Sequence, residues 1–325
     1  MDVKHFIGID VSKADFYACF GETTPPVKFA NTPAGIHSFL QHINKTQGNK
    51  NNTEIGLEST ASYHYLLCFK CTALGFTVKV INPLTVKKQN QTSLRRVKND
   101  RKDAILIRHC LVLGFGYAFQ ETVDTLTIKS LVRQRNSLAD YLLKINRQIK
   151  DIEYKQACVG VQLPNPYSEI KHLLKEKSKE LELELKQHKT EEQHLLQTIP
   201  GVGPLTAAAF ISEVQDIKRF KEPKQLTAYI GLDSRVHESG VSVHGKGYIS
   251  KRGNKILRTR LYNACSVAVL RPNTFQIFFQ KKVSEGKPYR VALIATMNKM
   301  ARVVHSVWTN NKPFVDPTLN PKETV

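Results

Sequence analysis

The 325-residue chain carries 48 Lys+Arg against 28 Asp+Glu, a formal net charge of +20 at pH 7. An excess of this size creates a positive field suited to a phosphate backbone and makes such binding steeply salt-dependent. No apolar stretch approaches the ~20 residues that span a bilayer, and the N-terminus has no signal-peptide core, which together predict a cytoplasmic protein with no membrane partner.

Residues 1 to about 118 alternate strand and helix signals. Strand-like runs fall at 4–10, 15–20, 27–30, 53–58 and 76–81, and helical stretches at 33–45, 61–74 and 100–114. Three early strands followed by alternating α and β predict an α/β region of RNase H-like order, a mixed sheet with helices on its faces. Four acids occupy its junctions. Asp10 ends the run Phe6-Ile7-Gly8-Ile9, and Glu58 ends Ile55-Gly56-Leu57. Asp100 and Asp103 lie one helical turn apart before Ala104-Ile105-Leu106-Ile107. A carboxylate at a strand's end is rigidly held, and an i, i+3 pair points the same way. Hard-oxygen clusters of this kind suit Mg²⁺, with Mn²⁺ as a substitute. Between the second and third acids runs a polar, basic loop with Lys87, Lys88, Arg95, Arg96, Lys98, Arg101 and Lys102, which would bring phosphates to the metals.

The six cysteines are scattered and mostly in apolar contexts, as reduced core thiols would be. Cys68 and Cys71 form a CxxC within a helical pattern, and no second pair stands at zinc spacing.

From 125 to 195 the pattern changes. Leu138, Leu142, Ile145, Ile149 and Ile152 recur at alternating spacings of four and three, a coiled-coil seam. Leu163-Pro164-Asn165-Pro166 then breaks the helix, and a second one runs from about Ser168 to His188 with Ile170, Leu174, Leu181 and Leu185 on one face. The pair predicts an antiparallel hairpin, either a connector packed on itself or a dimerisation arm.

From about 195 a compact, mainly helical region begins. Leu196 to Ala208 holds Gly201 and Gly203 in a tight turn and resembles a helix-hairpin-helix, whose glycines bring backbone N–H groups to a DNA phosphate. A plain packing joint would use the same glycines. Residues 231–260 then crowd Arg235, Lys246, Lys251, Arg252, Lys255, Arg258 and Arg260, expected to hold DNA phosphates, among four serines, Ser234, Ser239, Ser242 and Ser250. Ser239, followed by Gly240 and flanked by bases, is the candidate nucleophile, although Ser-Gly is also a common turn.

Taken in order, Gly8-Ile9-Asp10-Val11-Ser12-Lys13, Gly56-Leu57-Glu58-Ser59-Thr60, Lys98-Asn99-Asp100-Arg101-Lys102-Asp103-Ala104, and Gly201-Val202-Gly203-Pro204 with Glu238-Ser239-Gly240 resemble the DEDD-type transposases of bacterial insertion sequences and the related pilin-gene DNA invertases. Asn99 stands where that family usually has threonine, with the acid retained. The resemblance implies a RuvC-like domain at 1–120, a coiled-coil connector at 121–194 and a C-terminal transposase domain at 195–325. It implies catalytic, metal-holding Asp10, Glu58, Asp100 and Asp103, and Ser239 as nucleophile through a phosphoserine intermediate. Double-stranded DNA is then the substrate, a structured guide RNA a partner of the transposases, and a homodimer or tetramer on DNA the working form. Two other functions compete: a junction-resolving endonuclease using the acids and water alone, and a non-catalytic nucleic-acid scaffold.

Overall fold

The computed structural model describes residues 4–46, 50–59, 62–90, 100–233 and 249–318. These divide into two compact units, 1–120 and 121–325.

The first unit opens with an antiparallel meander, β1 (His5–Val11), β2 (Asp15–Cys19) and β3 (Val27–Ala30). There follow α1 (Pro33–Thr46), β4 (Thr53–Glu58), α2 (Tyr65–Ala73), β5 (Thr77–Ile81), α3 (Pro83–Asn90), α4 (Asp100–Val112) and the two-residue β6 (Tyr117–Ala118). The sheet order is β3-β2-β1-β4-β5-β6, with β1, β4 and β5 mutually parallel. This is the mixed sheet with covering helices that the α/β pattern predicts.

Alternation along the strands decides which helix covers which face. Ile7, Ile9, Ile55 and Leu57 join Ile36, Phe39 and Ile43 of α1 and Leu67, Cys68 and Cys71 of α2 in one core. The intervening positions on the other face are Gly8 and Gly56, paired side by side. A Cβ on Gly8 would stand 2.2 Å from the Arg108 nitrogen and 2.5 Å from the Ala104 oxygen. Only glycine lets the backbone of α4 lie directly on β1. Arg108 Nε donates to the Phe6 oxygen (3.0 Å), so α4 runs antiparallel to β1 and its N-terminus arrives at the strand's C-terminal end.

The second unit begins with α5 (Val123–Val159), entered through a Thr122–Thr125 capping box. It continues with α6 (Tyr167–Leu185), α7 (Glu191–Gln197), α8 (Pro204–Val214), α9 (Pro223–Ile230), α10 (Lys255–Ala268), α11 (Thr274–Ser284) and α12 (Tyr289–Asn310). The prolines at 164 and 166 do not end the first long helix. Gly160, at φ 67°, caps it several residues earlier, and Pro166 instead introduces α6. Ile149 of the seam is buried and its other members are half-buried, with α6 packed alongside α5. The base of the hairpin shares a core with the helices that follow. Ile128, Leu131 and Val132 of α5 and Leu185 of α6 belong with Phe210, Leu261, Met300 and Trp308.

Candidate active site

Asp10 is half-buried near the end of β1, where Val11 turns its apolar side chain into the core. Asp100 (exposed) and Asp103 (half-buried) occupy the first turn of α4. Seated on Gly8, the helix delivers its two acids to the strand's one, and ligand oxygens of Asp10, Asp100 and Asp103 all lie within 4.8 Å of one another. The partial positive charge of a helix N-terminus eases the gathering of two carboxylates there. Glu58, last in β4, is not in that group. The parallel register ends at Ile9 opposite Leu57, so Asp10 and Glu58 follow on adjacent strands, one step beyond it. Three carboxylates from two rigid elements, open to solvent on the Asp100 side, fit a hard divalent cation that keeps several waters.

The expected phosphate contacts divide three ways. Arg101 and Lys102 are exposed in the first turn of α4, beside the acids. Lys87 and Lys88 are exposed too, but on the helix α3 and not in a loop: Asn82 Oδ1 accepts the Leu84 N–H, and Pro83 starts the helix. Arg95, Arg96, Lys98, Arg235, Ser239 and Lys246 lie outside the described residues. In the second unit Lys251 and Arg252 are exposed, and Lys255 is exposed on α10 with Asp140 3.2 Å away.

Arg258 and Arg260, expected to meet DNA, are half-buried and buried and bond within the helical unit. Arg258 Nη1 donates to the Ile230 oxygen (2.8 Å). Arg260 is only 7% exposed, donates to Asn136 of α5, and is pushed by burial down to about 10. Gly201 also serves packing. Its φ is 84°, and a Cβ there would meet the Ala264 oxygen at 2.2 Å, so the glycine admits α10. Gly203, which precedes α8 as its N-cap, has open space at that position.

Sequence reasoning passed over the polar joint beneath residues 249–254. Glu213, in the buried helix α8, accepts from Arg133 Nε (2.8 Å), Arg133 Nη2 (3.0 Å) and Asn254 Nδ2 (2.8 Å). Burial works against its charge, but Arg133, then Lys129 and Asn254, outweigh it and hold the carboxyl below its usual range. Asn254 in turn caps α10 through the N–H groups of Ile256 and Leu257. Ser250, one of the four serines considered, is buried and donates to Asp233. Among the thiols, Cys68 and Cys71 are buried on α2, where burial pushes Cys71 up to about 12, while Cys158 is exposed. No helix among the described residues is long and apolar enough to cross a membrane.

A mixed sheet of this order, with a helix bringing acids to the end of its first strand, defines an RNase H-like domain. Residues 7–152 match the DEDD transposase model of the IS110 type, described as "Transposase", and residues 193–280 match "Transposase IS116/IS110/IS902 family". The chain belongs to this family of DEDD transposases and is a DNA recombinase in class. It is 26% identical to the pilin gene-inverting protein of Moraxella bovis over 96% of this chain and 98% of that one. The pilin gene-inverting protein of Moraxella lacunata is 27% identical over the same shares. The transposase for insertion sequence element IS1328 of Yersinia enterocolitica is 26% identical over 72% of this chain and 67% of its own.

Proposed function

We propose that the protein breaks and rejoins double-stranded DNA by transesterification, with Asp10, Glu58, Asp100 and Asp103 holding Mg²⁺ or Mn²⁺ and Ser239 as the nucleophile. The carrying observation is the meeting of Asp10, Asp100 and Asp103 within 4.8 Å at the end of β1. A divalent cation bound there would neutralise a scissile phosphate and polarise its phosphorus–oxygen bonds. The carboxylates' own work is to fix that position on a strand and a helix seated on glycine, which costs no reorganisation during reaction.

Ser239 Oγ would form a bond to phosphorus as the bond from phosphorus to a deoxyribose oxygen breaks. The serine's proton ends on the departing oxygen, giving a free DNA hydroxyl and a phosphoserine-linked end. A hydroxyl from the partner strand then reverses the step and releases the serine. One phosphate ester replaces another throughout, so no nucleotide hydrolysis is required.

We take Lys87, Lys88, Arg101, Lys102, Lys251 and Arg252 to meet the DNA backbone, a reading supported by their exposure. By analogy with relatives named as a pilin gene inverter and as insertion-sequence transposases, the DNA sites are recombination sites. A structured guide RNA accompanies the transposase form of this function, and we take the working assembly to be a cytoplasmic homodimer or tetramer.

The test is cleavage of duplex DNA in Mg²⁺, in Mn²⁺ and in EDTA by the wild type and by Asp10→Ala and Glu58→Ala. Cleavage should need metal and vanish in both variants, with DNA affinity retained within a few-fold. Wild-type rates in both variants would remove the metal-site assignment.

A further inference from the structure

Outside β1 the sheet continues into β2 and β3, and the face that carries Asp10 changes character there. Asp10 pairs across to Tyr17, and Tyr17 across to Lys28, so the three side chains stand in one row over neighbouring strands. Strands lie about 4.8 Å apart, which puts Lys28 two steps, about 10 Å, from Asp10 at the backbone. The opposite face of β2 and β3 is committed to packing: Phe16 and Phe29 stack on each other and both meet Phe39 of α1. On the Asp10 side α4 packs against β1 and β2, but Lys28 and Ala30 of β3 are exposed.

The row is organised by charge. Lys28 Nζ lies 5.6 Å from the centroid of the Tyr17 ring, and the Arg101 guanidinium carbon lies 5.9 Å from it. Lys28 also pairs with Asp15 at 2.5 Å, and Asp15 accepts the Ser12 hydroxyl at 2.8 Å. The Tyr17 ring therefore attracts two cations beside the acid cluster and limits where each can move. A DNA strand brought to three carboxylates meets a repulsive field, and phosphates next to the one being cut need cations there. An ammonium has three donors, so Lys28 can keep Asp15 and still take a phosphate oxygen.

We propose that Tyr17 and Lys28 form a phosphate-binding shelf for the DNA strand entering the acid cluster. Lys28 takes a phosphodiester next to the scissile one, and Tyr17 holds Lys28 and Arg101 in place. The shelf rests on the recombinase function proposed above. Its simplest competitor is that Lys28 only offsets the charge of Asp15 and Asp100, whose field it feels. The two differ in what they couple to: a phosphate ligand changes DNA binding, whereas a counter-charge changes metal binding.

The experiment measures duplex-DNA affinity against salt in EDTA, and the Mn²⁺ midpoint of cleavage, for Lys28→Ala, Lys28→Arg, Tyr17→Ala and Tyr17→Phe. Lys28→Ala should lower the magnitude of the salt slope by about 0.9, the value for one lost phosphate contact, and leave the Mn²⁺ midpoint within twofold. Lys28→Arg should keep the wild-type slope. Tyr17→Ala should weaken DNA binding about threefold, while Tyr17→Phe, which keeps the ring, should not. An unchanged slope in Lys28→Ala, or a Mn²⁺ midpoint that moves while DNA affinity stays fixed, would overturn the shelf. Asp10→Ala, assayed alongside, separates the two levels. Cleavage lost in Asp10→Ala with an unchanged slope in Lys28→Ala sinks the shelf alone, and wild-type cleavage in Asp10→Ala sinks the metal-site function whatever Lys28 does.

Discussion

In the sheet unit, acidic side chains of like charge gather at the surface: Asp10, Asp100 and Asp103 share a 4.8 Å neighbourhood, with Asp100 exposed. In the helical unit the opposite holds. Glu213, 4% exposed, is surrounded by Arg133 and Asn254, and Arg260, 7% exposed, is turned onto Asn136. A like-charge cluster is unfavourable by itself. It is tolerated where a helix N-terminus and solvent screen it and where a cation can enter. The buried Glu213, by contrast, is committed to Arg133 and Asn254, and the buried Arg260 to Asn136, contacts that tie helices together. Accessibility and partners, more than residue type, separate the charges available for chemistry from those that hold the fold.

The largest effect should come from breaking the exposed cluster. Asp10→Ala or Asp103→Ala should lower DNA cleavage by about 10³-fold or more, the scale of a lost metal contribution of several kcal/mol. Thermal unfolding should be unchanged or slightly higher, because a repulsive neighbour is gone. A fall in both together would mean that the acids support the fold.

Close behind is the seat of that cluster. Gly8→Ala places a methyl group against the α4 backbone and should destabilise the sheet unit by about 3 kcal/mol, with cleavage lost as Asp100 and Asp103 leave β1. Denaturant unfolding reads the first effect and the DNA assay the second.

In the helical unit, Glu213→Gln should cost about 2 kcal/mol of stability near neutral pH with no direct effect on chemistry. The wild-type carboxyl is held below its usual value of 4.5, so its contribution is present above that pH and lost as pH falls through the folded value. The difference in unfolding free energy between wild type and Glu213→Gln should therefore narrow below about pH 4.5. A pH-independent difference would contradict the ionised joint.

The smallest effect sharpens the contrast most. Arg260→Met replaces a buried guanidinium with an apolar chain of similar length, and DNA affinity should stay within about twofold with the salt slope unchanged. Loss of a full phosphate contact would put Arg260 back on the DNA.

Local signals in the sequence carried the sheet unit far. The five strand-like runs correspond to β1 through β5 because apolar runs ending in charge or turn residues are short-range patterns. α3 was hidden, since one buried residue, Val86, gives no apolar face, and two-residue β6 is too short to show a period. Asp10, Asp100 and Asp103 were legible as residues, but their meeting depends on Gly8 admitting α4, a contact of nearly a hundred positions' separation. The row from Asp10 to Tyr17 to Lys28 was unreadable until cross-strand register was known. In the helical unit a run of bases from 246 to 260 read as one phosphate-binding patch. Helical periodicity breaks that patch up, carrying Lys255 and Thr259 outward and Leu257 and Arg260 inward on α10.

The central claim is that the acids serve a serine and not a water, and the linkage between protein and DNA tests it most directly. Wild-type protein should be trapped on a nicked suicide duplex in Mg²⁺, digested with protease and nuclease, and searched by mass spectrometry for a nucleotide-bearing peptide. The account requires a phosphodiester on Ser239, absent from Ser239→Ala and from Asp10→Ala, with Ser234, Ser242 and Ser250 unmodified. Wild-type cleavage by Ser239→Ala, with no covalent adduct on any serine, would contradict it and make the acids those of a hydrolytic junction endonuclease.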